Sequence, residues 1–221
     1  MKTGFVRQSN FIPISAMDSG GLRGDLRRAE YLLVIYPYGE LQDKLLDEQQ
    51  EFCSNYFSAD YGLQMKVRNK PHITVAAFQA GEPMEDTLIR WIQRICSRYN
   101  SFDITLNNYS GFPPHTIYLR VLDPQPFREL MQQLRAIDDF IRSSGCPPVN
   151  LIDRPYLSIA GGLTEQVYNR AMPEYSRKDF HDTFHVKEMV LLKREHSFDA
   201  CKTVNIFRLP DNSRPDAFVT F

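Results

Sequence analysis

The sequence predicts an α+β fold: two pseudo-symmetric lobes, each an antiparallel sheet with outer helices, around a central cleft. Three observations carry this. Apolar runs of strand length alternate with amphipathic helical periods along most of the chain. Two short strands each stand directly behind a proline. The pattern also repeats at a nearly constant offset: Tyr31 matches Thr116 at 85 residues, His72 matches Tyr156 at 84, and Phe102 matches His185 at 83. Each half reads strand, helix, Pro-led strand, helix, strand, which is an internal repeat without strong identity. The expected organisation is a single bilobal domain over 30–209, with halves at about 30–110 and 116–209. A flexible tail is expected at 1–29 and a C-terminal tail at 210–221.

Each element has a local reason. Tyr31 to Tyr36 is a continuous apolar run with β-branched and aromatic residues, ended by Pro37 and Gly39, which reads as a buried strand. Leu41, Leu45, Leu46, Phe52, Cys53 and Tyr56 recur at helical spacing. Pro71 precedes a strand from His72 to Phe78, and Leu88, Ile92, Ile95, Cys96 and Tyr99 mark a second amphipathic helix. Phe102, Ile104 and Leu106 alternate with polar residues, the signature of a half-buried strand. Thr116 to Val121 is the next strand. Pro126 opens a helix carrying Phe127, Leu130, Leu134, Ile137 and Ile141, and Gly145 stops it. Pro155 leads the strand Tyr156 to Ala160. Thr164 caps a helix that Pro173 must end or kink. Phe184 to Leu192 reads as one long apolar strand, and Lys202 to Leu209 as the last.

Composition sets outer limits. The chain has 221 residues, 43% hydrophobic and 24% charged, with 26 Lys+Arg against 27 Asp+Glu for a net charge of −1. That balance argues against broad electrostatic binding to duplex DNA or anionic membranes, and leaves room for a local basic groove. No stretch approaches the ~20 apolar residues of a membrane span. The first residues contain no continuous apolar run, so no secretory signal is expected. Cys53, Cys96, Cys146 and Cys201 are widely spaced with no C-x-x-C pair, which suits reduced thiols and a cytoplasmic setting.

The Pro-led strands carry the chemistry. They read Lys70-Pro71-His72-Ile73-Thr74-Val75 and Arg154-Pro155-Tyr156-Leu157-Ser158-Ile159. Alternate residues of a strand share a face, so His72 projects with Thr74, and Tyr156 with Ser158. In a two-fold arrangement the polar faces meet across the cleft. A ligand there sees one imidazole, one phenol and two hydroxyls.

These residues resemble a known family. The Pro-His-x-Thr strand, the Pro-x-x-Ser strand 84 residues later and the duplicated halves are similar to the 2H phosphoesterase superfamily, with the bacterial 2′-5′ RNA ligase and cyclic phosphodiesterase group the nearest look. The stretches at 112–121 (FPPHTIYLRV) and 190–195 (VLLKRE) also resemble it, and the likeness covers roughly 30–209. The family signature is two His-x-Thr/Ser motifs, one histidine acting as general base, the other as general acid, with the hydroxyls holding phosphate. Here Tyr156 stands where the second histidine is expected. The resemblance implies a metal-independent phosphoesterase acting on 2′,3′-cyclic phosphates or 2′-5′-linked nucleotides and RNA ends, with no cofactor. It implies catalytic roles for His72, Thr74, Tyr156 and Ser158. A phenol titrates near 10 and donates well but accepts poorly, so activity is expected to be weakened or altered. The alternative is a degenerate module that binds nucleotides or RNA ends without turnover.

Other residues admit two readings each. His115, after a rigid Gly-Phe-Pro-Pro turn, either approaches the cleft rim or belongs to a surface turn, and Phe112 is a candidate to stack a base. His181 and His185 sit four apart in what reads as a loop entering a strand, so no metal site is expected. Lys193 and Arg194 either neutralise phosphate or are solvated. Lys70 and Arg154 either face the cleft mouth or cap their strands. A third functional class, a structural interaction protein, would use the apolar end Phe218-Val219-Thr220-Phe221.

Overall fold

The computed structural model describes residues 28–57, 70–196 and 199–211. Most of the expected tails, including Phe218 to Phe221, lies outside the described residues. Arg28 and Ala29, expected in the tail, already belong to a strand, where they pair with Gly81 and Ala80.

The strands are β1 (Arg28–Ile35), β2 (Ile73–Gly81), β3 (Phe102–Phe112), β4 (Thr116–Val121), β5 (Asn150–Leu151), β6 (Tyr156–Gly161), β7 (His181–Val186), β8 (Glu188–Arg194) and β9 (Lys202–Arg208). The helices are α1 (Glu40–Tyr56), α2 (Glu85–Cys96), α3 (Gln125–Ser143) and α4 (Glu165–Tyr175). The strands form one antiparallel sheet in the order β7-β3-β4-β6-β2-β1-β8-β9, with β5 beside β2. The α+β class and the antiparallel sheet with helices agree with the sequence.

Local chemistry explains the helix ends. In α3 the buried residues Phe127, Leu130, Leu134, Ile137 and Ile141 fall three or four apart, Pro126 lies in the first turn, and Gly145 beyond the end takes φ 76°. Thr164 caps α4, its hydroxyl accepting from the Val167 amide at 3.4 Å, and Pro173 sits in the last turn. All four cysteines are free.

Two features differ from the sequence reading. The expected strand Phe184–Leu192 is two strands. Lys187 alone separates β7, which pairs with β3, from β8, which pairs with β1. Two residues of chain reach at most ~7 Å, whereas six strand steps in a flat sheet span ~29 Å. The sheet must therefore curl until its distant strands approach at this end. Lys187 and Glu188 at the break are exposed, but Phe184 and Val186 before it and Met189 to Leu192 after it are buried, so the two strands read as one apolar run.

Strand and helix partners also cross between early and late parts of the chain. β3 follows β2 in sequence but pairs with β4, through a short turn, and β8 pairs with β1. The helices cross over likewise: α1 packs on β6 and meets α4 through Phe52 and Tyr175, while α3 packs on β2 and against α2. Arg170 donates to the Tyr56 carbonyl at 2.8 Å and Lys178 pairs with Glu48 at 3.0 Å across the first helix pair. Trp91 stacks on Phe140 across the second. A continuous core under the sheet ties both pairs together. Among the described residues no helix is long and apolar enough to cross a membrane.

Candidate active site

β2 and β6 are the central strands, and they touch at one register pair, Ile73 opposite Leu157. On either side they splay. The Ile152 amide donates to the Val75 carbonyl at 3.0 Å, and Gln49 of α1 donates to the Ser158 carbonyl at 3.0 Å. Backbone groups that the neighbouring strand would have satisfied are thus met by other partners.

Ile73 and Leu157 are fully buried, as is Val75, and Ile159 nearly so. His72, Thr74, Tyr156 and Ser158 are half-buried on the opposite face. His72 and Thr74 flank Ile73, and Tyr156 and Ser158 flank Leu157, so each stands one residue from that single pair. The sequence expected these four to meet across a cleft; of the four, only Tyr156 lines the cavity described below. His72 lies one residue ahead of β2 rather than within it.

The two motif heads sit in different surroundings. The His72 Nδ1 is 2.8 Å from the Lys70 carbonyl. A carbonyl only accepts, so Nδ1 carries the proton and Nε2 is left as an acceptor. The Tyr36 ring meets the imidazole edge-on at 6.0 Å. Burial pushes the imidazole below its usual 6.5, against a smaller opposing effect of the Lys70 hydrogen bond. His72 is therefore neutral at pH 7 and able to take a proton. Tyr156 instead joins an aromatic trio, its ring 5.2 Å from Phe112 and 5.0 Å from Tyr118. Burial, and secondarily Tyr118, pushes its phenol above 10. It stays protonated through neutral pH and acts as a donor.

A cavity of about 710 Å³ opens beside Tyr156, lined by Phe112, Tyr118 and arginines of β4, α3 and the 153–155 loop. Arg154 is among its lining residues. Phe112 lines it too, placed where it can stack a ring. His115 instead ties its turn down: its amide donates to the Phe112 carbonyl at 2.8 Å, and its Nδ1 lies 3.3 Å from the Leu163 carbonyl. Lys193 pairs with Glu85 at 2.8 Å and Arg194 with Glu30 at 2.7 Å, so both cations have carboxylate partners within the fold.

His181 and His185 lie on β7, not in a loop. They face Asn107 and Asp103 across the ladder to β3, with Nδ1 contacts of 3.3 and 2.6 Å. Among the described residues no group of three His, Cys, Asp or Glu side chains converges as a metal site. The arginines of α3 went unnoticed in the sequence reading. They lie on the flank of an ordinary amphipathic helix, and no local signal distinguishes them from solvated charge.

Comparison with known proteins places this geometry. The family model described as the 2′-5′ RNA ligase superfamily matches residues 46–197. Among solved structures, E. coli LigT complexed with 3′-AMP is similar at a TM-score of 0.57 and 18% identity, over 82% of this chain and 98% of that one. A structure described only as a phosphoesterase gives 0.55 at 15% identity, over 82% and 98%. TT0787 of Thermus thermophilus gives 0.54 at 13%, over 83% and 99%. At these identities the likeness is one of fold. No curated protein matches in sequence.

Proposed function

The chain belongs to the 2′-5′ RNA ligase superfamily, and from that premise we propose that it is a metal-independent phosphoesterase acting on 2′,3′-cyclic phosphates or 2′-5′-linked RNA ends. The observation that supports this reading is the placement of His72, Thr74, Tyr156 and Ser158, all half-buried and each one residue from the single Ile73–Leu157 register pair. The E. coli relative's 3′-AMP supports a nucleotide phosphate as ligand.

For a cyclic phosphate the roles follow from the protonation states. The His72 Nε2 takes a proton from a water as its oxygen bonds to phosphorus. The bond from phosphorus to one ribose oxygen breaks, and the Tyr156 hydroxyl gives that oxygen its proton. The phenolate then regains a proton from solvent and the His72 imidazolium releases one to it, which restores both groups. Thr74 and Ser158 donate to the non-bridging oxygens, where charge develops. A phenol held above 10 gives up its proton less readily than an imidazolium, so turnover is slowed at the leaving-group step.

The same observation favours a second reading. Tyr156 is packed into an aromatic trio, and a scaffold that has exchanged its acid for an aromatic wall also suits binding without turnover. The test uses 2′,3′-cyclic nucleotides and a 2′-5′-linked dinucleotide with a chelator present. Turnover by the wild type and none by His72→Ala upholds the phosphoesterase. Turnover by Tyr156→His alone makes binding the leading function. A wild type that reacts only when a divalent metal is supplied refutes the metal-independent mechanism.

A further inference from the structure

Four arginines line the cavity beside Tyr156, and they come from three separate parts of the chain. Arg120 stands on β4 directly opposite Tyr156 in the ladder. Arg154 lies two residues ahead of Tyr156. Arg128 and Arg135 lie two turns apart on one flank of α3, ~10 Å along its axis. The only carboxylate in the lining is Asp153. Four arginines against one aspartate leave a formal +3 in a chain whose net charge is −1.

These arginines are also unneutralised. Among the described residues none of the four forms an ion pair, whereas Lys44, Arg142, Lys178, Lys193 and Arg194 all do. Arg120 donates to the Asn107 carbonyl at 3.3 Å and Arg128 to the Gln125 side chain at 3.2 Å, which leaves most of their donors open. All four are exposed. Clustering unpaired guanidinium groups costs mutual repulsion, and a bound polyanion relieves it. A single phosphate does not span two turns of α3. The cavity wall adds a flat apolar surface, because Phe112 and Tyr118 lie nearly parallel at 4.4 Å. Stacked aromatics beside guanidinium groups suit a base and its backbone.

We propose that this pocket holds the chain of a single-stranded RNA that runs away from the reacting phosphate on the Tyr156 side. The inference rests on the phosphoesterase reading for the identity of the terminus. It then fixes the polarity of the site. The ribose oxygen that leaves belongs to the nucleotide bearing the rest of the RNA, so the RNA lies beside the donor Tyr156. The water enters beside His72. The substrate is an oligonucleotide rather than a mononucleotide.

The test is equilibrium binding of a fluorescently labelled five-nucleotide RNA with a 3′-phosphate to the full chain, with a 3′-mononucleotide as the comparison ligand. The pentamer is expected to bind the wild type at least tenfold more tightly than the mononucleotide. Arg135→Ala combined with Arg154→Ala is expected to weaken the pentamer about tenfold at 0.15 M salt, to lower the salt slope by about 2, and to leave the mononucleotide unchanged. Arg142→Ala, on the same helix but paired with Asp138, is expected to change neither. Equal affinity for the two ligands, or an equal loss for both in the double variant, overturns the proposal. So does displacement of the pentamer by equimolar ATP, which reassigns the pocket to a nucleoside polyphosphate. Because no step of this assay needs turnover, a chain inactive as a phosphoesterase still decides it.

Discussion

The two Pro-led strands differ in what surrounds their first residue. At the head of β2, His72 is held by its own backbone through the Lys70 carbonyl, and burial keeps the imidazole neutral. At the head of β6, Tyr156 is held by rings, Phe112 and Tyr118, and burial keeps the phenol protonated. The first group is thus suited to accept a proton and the second to donate one. Two strands with the same Pro-led sequence pattern need not carry the same chemistry. Burial alone drives the two groups apart, because it disfavours the charged form of each, a cation in one case and an anion in the other.

That contrast breaks most sharply at His72. His72→Ala is expected to lower kcat/KM by ~10³-fold, while Tyr156→Phe, which keeps the ring packing and removes only the donor, lowers it by ~10²-fold. Steady-state kinetics on a 2′,3′-cyclic substrate checks both, and equal losses would deny the division of roles. The aromatic wall behind Tyr156 can be broken from below. A Cβ on Gly111 would meet the Tyr168 hydroxyl at 2.1 Å and the Met172 sulfur at 3.0 Å. Gly111→Ala is therefore expected to cost about 1–3 kcal/mol in a denaturant titration. It should disturb the neighbouring Phe112 and Tyr156 before it disturbs His72.

The smallest effect sharpens the comparison by pH. His72 acts neutral and its folded value lies below 6.5. Activity is therefore retained as pH falls through 6.5 and lost only below it. Tyr156 acts protonated and its value lies above 10, so the alkaline loss falls above pH 10. In Tyr156→Phe the alkaline limb is expected to disappear while the acid limb stays. A profile whose acid limb lies above 6.5 would exclude His72 as the base.

Much of this was legible in the residues themselves. Strand β4 runs from Thr116 to Val121 as the apolar run indicates, and Thr164 and Gly145 punctuate their helices as their chemistry requires. The alternation of buried Ile73, Val75, Leu157 and Ile159 with half-buried His72, Thr74, Tyr156 and Ser158 followed from a period of two and needed no knowledge of the fold. The break at Lys187 was not legible, because a short polar step between two apolar stretches also occurs within a single half-buried strand. The tie of His115 to the Leu163 carbonyl depends on a contact 48 residues away.

By itself, then, the sequence determined the local things: which segments are strands and helices, and which residues of β2 and β6 turn away from the core. These follow from short-range sterics and from the periodicity of burial. Only the tertiary structure decided that β3 pairs with β4 and β8 with β1, that Lys193 and Arg194 are held by Glu85 and Glu30, and that arginines from β4, α3 and the 153–155 loop surround one cavity. Charge and strand partnership are settled by distances in space. Residues such as Arg120 and Arg154 carry no mark in the chain of which charges will be brought beside them.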